Sequence, residues 1–171
     1  MATDTQTADN PGADIAHLIR ALSIPGGHGA HAARQELIGL GDAAVPELVA
    51  ALSSDSTQVR WEVAKTLTEI RAPQTAPALA NALRDDDGGV RWLAADGLGH
   101  MGPTGVKAAL EVLMAHSESA SVREAIHHVL STAAKDRQLA PVVRPVLDAL
   151  DGQVAQIACL APAEAALKQL G

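Results

Sequence analysis

The feature that most constrains the fold is a Val-Arg pair that recurs at a nearly fixed interval. The pairs begin at Val59, Val90 and Val122, so their spacings are 31 and 32 residues. An apolar segment and a polar turn precede each pair, and Gly or Pro, which commonly stop helices, follow the first two Val-Arg segments. A period of this length, with two helices per unit, predicts an all-α solenoid.

The apolar segments that precede the turns share the pattern of a buried first helix. They are 45–52 (VPELVAAL), 77–83 (PALANAL), 106–113 (VKAALEVL) and, at the end of the array, 142–150 (VVRPVLDAL). A degraded copy comes before them, with a first helix over Asp14–Ser23 that Asp14 caps. Its second helix lies around 31–42. We expect residues 1–13 to be a disordered leader, residues 14–171 to form one repeat domain, and Val154–Leu170 to be a closing helical segment.

Composition narrows the class of protein. Aromatic residues make up 1% of the chain, so its core must consist of Ala, Leu and Val, which favour helices. The formal net charge is −7, from 13 basic and 20 acidic residues, whereas a surface that binds nucleic acid normally has a basic excess. No stretch approaches the ~18 apolar residues of a membrane helix. The single cysteine fits a reducing compartment, so we expect a cytoplasmic protein without membrane or nucleic-acid partners.

The segment Val90–Gly102 (VRWLAADGLGHMG) resembles the HEAT family, in particular the short repeats of phycobiliprotein lyases. The resemblance extends over about 14–153 and matches the signature of an apolar helix, an acidic turn and VRxxAAxxLGxxG. It implies a right-handed solenoid of about four hairpins with capping helices, in which second helices line a concave wall. It also implies that Arg60, Arg91 and Arg123 reach acidic residues of the turns.

The only two tryptophans, Trp61 and Trp92, occupy the same slot, two residues after the valine of matching helices. On the implied wall this slot forms a row with His31 and Glu124. One helical turn further on, a second row runs Gln35, Lys65, Asp96 and His128, and a third runs Gly39, Glu69, His100 and Thr132. The indoles either pack flat between helices or form one aromatic patch in the groove.

We favour a patch that binds without catalysis, because tryptophan is enriched at binding hot spots. Its partner would be a protein segment or a small aromatic or cationic ligand, since cation–π contact and the acidic balance both suit positive charge. The predicted ligand-binding residues are His31, Trp61, Glu62, Lys65, Trp92, Asp96, Glu124 and His128. No cofactor is predicted.

Enzymatic alternatives depend on Asp96, His100 and His128. The resemblance to phycobilin lyases implies a lyase- or cyclase-like subunit, paired in a homo- or heterodimer, that holds a hydrophobic cofactor or intermediate while these residues move protons. A more remote alternative is a likeness to alkylpurine DNA glycosylases, carried by Trp61, Trp92 and Asp96 but without their basic lining.

Metal binding is another chemical alternative. Asp96 with His100, and Glu124 with His128, are i, i+4 pairs that could converge on an ion. The sequence contains neither HExxH nor CxxC, so no metal site is predicted.

Overall fold

The structure, a computed structural model, describes residues 11–24, 28–152 and 154–171. Within these ranges the regular structure is helical, without strands. The α-helices are α1 (Pro11–Ala21), α2 (His28–Leu40), α3 (Val45–Ala51), α4 (Thr57–Ile70), α5 (Ala76–Ala82), α6 (Gly88–Gly99), α7 (Gly102–His116), α8 (Ala120–Ala133), α9 (Ala140–Leu150), α10 (Ala155–Ala158) and α11 (Leu160–Leu170). None of them has the length and apolarity needed to cross a bilayer.

The helices pair into four hairpins, α1–α2, α3–α4, α5–α6 and α7–α8, within the described part of the chain. The second helices α4, α6 and α8 pack side by side, and the first helices α5 and α7 do the same. Helix α9 packs on α8, and α11 closes the array against α7 and α9. The prediction of an all-α solenoid is therefore confirmed.

The two ends differ in detail from the sequence prediction. Residues 1–10 of the predicted leader lie outside the described residues, and α1 begins at Pro11, inside that leader. Asp14 consequently lies in the first turn of α1 and not at the predicted N-cap. The closing segment consists of two helices, α10 and α11, separated at Cys159.

A capping residue that repeats with the array starts each Val-Arg helix. Ser56, Asp87 and Ser119 each lie three residues before the valine of a Val-Arg pair. Each side chain accepts a hydrogen bond from the N–H of that valine. The distance is 3.0 Å at Asp87 and 3.4 Å at the two serines. Such caps satisfy N–H groups that the first helical turn leaves unpaired. They explain why α4, α6 and α8 begin two residues before their valines.

The core is built from small and aliphatic side chains, as the composition predicts. On α6, Val90, Ala94 and Leu98 are completely buried, whereas Met101 just beyond the helix is only partly buried. Gly97 lets α6 approach α4 closely, because a Cβ atom there would lie 2.7 Å from Thr68 Oγ1. Small side chains at the contacts between helices therefore allow the helices to pack closely.

The arginine of the Val-Arg pair ties repeats together in one case out of three. Arg60 donates from Nε to Asp85 Oδ2 at 2.8 Å and from Nη2 to Asp85 Oδ1 at 3.0 Å, so it bridges to the turn of the next repeat. Arg91 Nη1 instead donates to the backbone oxygen of Asp85 at 2.8 Å, and Arg123 Nη1 to that of Ser117 at 2.6 Å. The expected contact with a turn carboxylate thus occurs for Arg60, while the other two arginines bind turn carbonyls.

Candidate functional site

A groove of about 550 Å³ lies between α6 and α8. Because these two helices pack side by side, the residues two and five positions after each valine line the same groove. The groove is lined by Gly88, Arg91, Trp92, Ala95, Ser121, Glu124, Ala125, His127, His128 and Ser131. It is open to solvent, and its floor is made of the alanines.

Trp92 is the main apolar surface of this groove. Its side chain remains 55% exposed, which is exceptional for the largest apolar residue of a chain with so few aromatics. The His128 imidazole, from α8, stacks against it with 5.4 Å between ring centroids and 28° between ring planes. One tryptophan therefore presents an accessible ring on the second-helix face, and its aromatic neighbour is a histidine.

Asp96 stands one helical turn beyond Trp92 and lies next to two histidines. Its Oδ1 atom is 3.9 Å from His128 Nε2 and 3.7 Å from His100 Nδ1. His100 Nδ1 also lies 2.8 Å from the backbone oxygen of Asp96, the distance of a hydrogen bond that His100 donates. His128 Nε2 is shielded from solvent and has no hydrogen-bond partner among the described residues. The predicted trio of Asp96, His100 and His128 is thus brought together.

The rim of the groove carries charges of both signs. Glu124 is exposed on α8, in the predicted row with Trp92. Arg91 is held at the start of α6 by the backbone oxygens of Asp85 and Asp86, at 2.8 and 3.0 Å from its Nη1. His127 Nε2 is 3.2 Å from an Asp151 carboxylate oxygen. The groove therefore offers an indole face with carboxylates near it, and a guanidinium fixed at one edge.

Trp61 has a different environment although it fills the same slot. It is half-buried and packs against the core, and a Cβ atom at Gly89 of the next repeat would lie 3.1 Å from its indole ring. Lys65 Nζ lies 5.0 Å from the centre of that ring, within the range of a cation–π contact. Trp61 lines a separate groove with Thr57, Gln58 and Asp87. The predicted single aromatic patch is thus divided between two grooves.

The residue that precedes the valine of the following repeat accounts for this difference. Gly89 holds that position beside Trp61, and the indole lies against its backbone because no side chain intervenes. Ser121 holds the equivalent position beside Trp92, and it lines the open groove. Comparison of these two positions is a signal by which the sequence could have distinguished a covered tryptophan from an exposed one.

Two other predicted residues lie outside the α6–α8 groove. Glu62 is buried, and Arg34 Nη1 donates to its Oε2 at 2.6 Å, so its carboxylate is neutralised between α2 and α4. His31 is exposed on α2, with Nδ1 3.0 Å from Arg34 Nη2. Conversely, the sequence prediction did not include Arg91, Ser121, His127 and Ser131, all of which line the groove.

The described residues contain no cluster of three or more His, Cys, Asp or Glu side chains arranged to hold a metal ion. Asp96 Oδ1 lies 3.9 Å from His128 Nε2. However, the Nδ1 atom of His100 faces a backbone oxygen, and Glu124 lies one helical turn before His128 on α8. Proton transfer within this trio would require closer approach, because the ring nitrogens lie 3.7 and 3.9 Å from the Asp96 carboxylate oxygen and proton transfer uses hydrogen-bond distances.

Comparison with known proteins places this chain in a family. A family model described as HEAT repeats matches residues 15–92, 45–131 and 78–161, which together span most of the chain. The structure of the complex of CpcE and CpcF of phycocyanin lyase, from Nostoc sp. PCC7120, contains a chain that is similar to this one. The TM-score is 0.65 and the identity 27%, over 91% of this chain and 98% of that chain.

A comparison with curated proteins gives no match. The family model and the solved structure agree with each other and with the stacked hairpins described above. The protein is therefore a helical repeat module that is similar to a phycocyanin lyase subunit. The chain belongs to the HEAT-repeat family.

Proposed function

We propose that this protein is a non-catalytic binding module whose α6–α8 groove binds a cationic group, presented by a protein segment or by a small ligand. The observation that carries the proposal is the exposure of Trp92, 55%, in a groove that Glu124 lines and in which the lining His128 lies 3.9 Å from the Asp96 carboxylate. Tryptophan is enriched among the residues that contribute most to binding at protein interfaces.

The sign of the partner follows from the charges around the indole. A cation over an indole face gains about 0.5–2 kcal/mol, and more when it is removed from water. The net charge of −7 adds a long-range field that attracts positively charged partners. A guanidinium suits the site best among protein side chains, because it is planar, stacks on aromatic rings and pairs with carboxylates through two N–H groups.

The test is a titration with N-acetyl-arginine amide, which carries one guanidinium and no terminal charge. Its matched control is N-acetyl-citrulline amide, a ureido compound of almost the same shape without charge. We expect the arginine compound to perturb the NMR signals of α6 and α8, and to bind at least about tenfold more tightly than the citrulline compound. Equal binding of the two compounds would refute recognition of a cation.

Mutation of each tryptophan separates the groove from the scaffold. Trp92→Ala should weaken binding of the arginine compound by about tenfold and leave the thermal melting temperature almost unchanged, since the ring is exposed. Trp61→Ala should leave that affinity almost unchanged and lower the free energy of unfolding by about 2 kcal/mol, because the half-buried ring packs on the core. Unfolding by Trp92→Ala would show that the indole is part of the core.

A second candidate function has its own support. The chain is 27% identical to a chain in the complex of CpcE and CpcF of phycocyanin lyase, over 98% of that chain. On this alternative the protein is one subunit of a lyase-like pair, and Asp96, His100 and His128 transfer protons to a hydrophobic guest stacked on Trp92. The open groove favours the binding module, because an enzyme of this kind would enclose its guest.

The two functions predict different results with one ligand. If the protein is a lyase-like subunit, a free phycobilin should bind and change its absorbance spectrum, and Asp96→Asn should alter that spectrum without loss of folding. If it is a binding module for cations, the phycobilin spectrum should be the same with and without the protein.

A further inference from the structure

His128 already lies next to two groups of the site, Trp92 and Asp96, that a cationic guest would contact. Its ring stacks on Trp92, with 5.4 Å between centroids, and its Nε2 atom lies 3.9 Å from Asp96 Oδ1. That nitrogen is shielded from solvent, and none of the described residues forms a hydrogen bond with it. In its protonated form the ring would be a cation placed against an indole face and beside a carboxylate.

The charges that surround His128 can all be named. Among the carboxylates of the described residues, that of Asp96, on α6, lies within 4 Å of a His128 ring nitrogen. The other ionisable groups around the groove are Arg91 and His100 on α6, Glu124 and His127 on α8, and Asp151, which follows α9 and contacts His127. No residue of α7, the remaining helix packed on α8, lines the groove. A positive charge on His128 would therefore act mainly on Trp92 and Asp96.

We propose that His128 is an internal competitor for the cation site: when it is protonated it takes up the Trp92 face and the Asp96 charge that a cationic guest would use. The inference rests on the proposed function and makes the binding of such a guest depend on pH. Two positive charges a few ångströms apart repel each other, and they would share one carboxylate. A bound guest therefore favours the neutral imidazole.

The direction of the pH dependence follows from this coupling. A guest that binds the neutral form of His128 more tightly drives a proton off the ring, so binding releases up to one proton per guest. By reciprocity of linked equilibria, a fall in pH that protonates the ring must weaken the guest's affinity. Histidine is the side chain whose charge normally changes between pH 5 and 8.

The experiment is a calorimetric or NMR titration of the full chain with N-acetyl-arginine amide at pH 7.5 and pH 5.5. We expect the dissociation constant to be about tenfold higher at pH 5.5. In His128→Gln, which keeps a polar side chain of similar length but does not titrate, the ratio of the two dissociation constants should fall to about one. His116→Gln is the control, because this histidine, at the end of α7, lies outside the groove and 3.9 Å from Glu118, and the ratio should stay near ten.

The outcomes distinguish this inference from the function on which it rests. Binding with the same affinity at both pH values would overturn the role of His128 and leave the cation-binding function intact. A pH dependence that survives in His128→Gln would also overturn it. Absence of binding at both pH values would refute the cation-binding function itself, and this inference with it.

Discussion

At the scale of the residue, equal positions in the repeat have unequal chemistry. Trp61 and Trp92 each follow a Val-Arg pair, yet one is half-buried under Lys65 and the other is 55% exposed. The difference lies in the neighbour that each ring meets, Gly89 for Trp61 and Ser121 for Trp92. Exposure of a large aromatic surface to water is unfavourable, so an indole ring packs where a neighbouring glycine leaves space for it.

This explanation predicts the effect of a single methyl group. In Gly89→Ala the new Cβ would lie 3.0 Å from Asp87 Oδ1 and 3.1 Å from the Trp61 ring, so these side chains must shift by a few tenths of an ångström. We expect the fluorescence emission of Trp61, measured in a Trp92→Phe background, to shift to longer wavelength by several nanometres as the indole gains contact with water.

Gly88→Ala is the matched control for this substitution. Its new Cβ would meet only the end of the flexible Arg91 side chain, at 3.4 Å, so the Trp61 emission should stay where it is. An unchanged spectrum in Gly89→Ala would show that something other than Gly89 covers the ring.

At the scale of the element, the contact between Arg60 and Asp85 links consecutive hairpins. The hydrogen bond with Asp85 raises the pKa of Arg60 above its usual value. Burial by itself would raise the pKa of Asp85, but the hydrogen bonds donated by Arg60 and by the Asp87 N–H outweigh it and hold that pKa below its usual value. Both side chains are about nine-tenths buried, so the pair contributes more than a surface ion pair does.

Arg60→Ala should lower the free energy of unfolding by about 3 kcal/mol, because it leaves the Asp85 carboxylate buried without its partner. Arg91→Ala is the control. It removes hydrogen bonds to two turn carbonyls and leaves no buried charge, so we expect a loss of about 1 kcal/mol. Urea unfolding at pH 7 measures both, and equal losses would show that the carboxylate is not what makes Arg60 important.

The same pair predicts how stability changes with acid. Because the pKa of Asp85 is lowered in the folded protein, its contribution is fully present above the unfolded-state pKa, about 3.9 for an aspartate. It is lost as the pH falls through the lower, folded-state value. The stability difference between the natural chain and Asp85→Asn should therefore be largest near pH 7 and shrink below about pH 4. Urea unfolding at pH 7, 4 and 3 checks this, and a difference that grows in acid would contradict it.

At the scale of the whole molecule, each hairpin packs only on its neighbours, and α6 has the most complete surroundings. It contacts α4, α5, α7 and α8, whereas α1 and α10 lie at the ends of the array. In such arrays stability is a sum of nearest-neighbour terms, and the ends open first. We expect amide hydrogen exchange to be slowest in α6 and α8 and fastest in α1 and α10. Equal protection throughout would indicate a single cooperative unit.

Most of the architecture could be predicted because it is local and repeated. The apolar period and the turn residues predicted α3 to α8 to within a few residues, and the capping side chains at Ser56, Asp87 and Ser119 set the starts of α4, α6 and α8. At the N-terminal end, where the repeat is degraded, Asp14 was wrongly predicted as a cap, because nothing local distinguishes a cap from a first-turn acid.

The candidate site was harder to predict because its contacts join residues far apart in the chain. Glu62 pairs with Arg34, which lies 28 residues earlier in the copy that lacks a Val-Arg pair. His128 contacts Trp92 because α8 packs beside α6. It lies one helical turn after Glu124, which holds the position in α8 that Trp92 holds in α6. Register between helices depends on how side chains interdigitate, and a periodic pattern in one helix does not contain that information.

The covering of one indole by the following hairpin has a consequence for how such arrays can be altered. Because Gly89 sits in the hairpin after Trp61, a hairpin that is copied, deleted or moved brings its tryptophan but leaves behind the residue that shields it. Recombination of single hairpins would therefore expose or bury an aromatic ring without any change in the hairpin that carries the ring. The recognition surface of this chain thus depends on a junction between hairpins, and an engineer who recombines them should keep the starts of α4 and α6 in one segment.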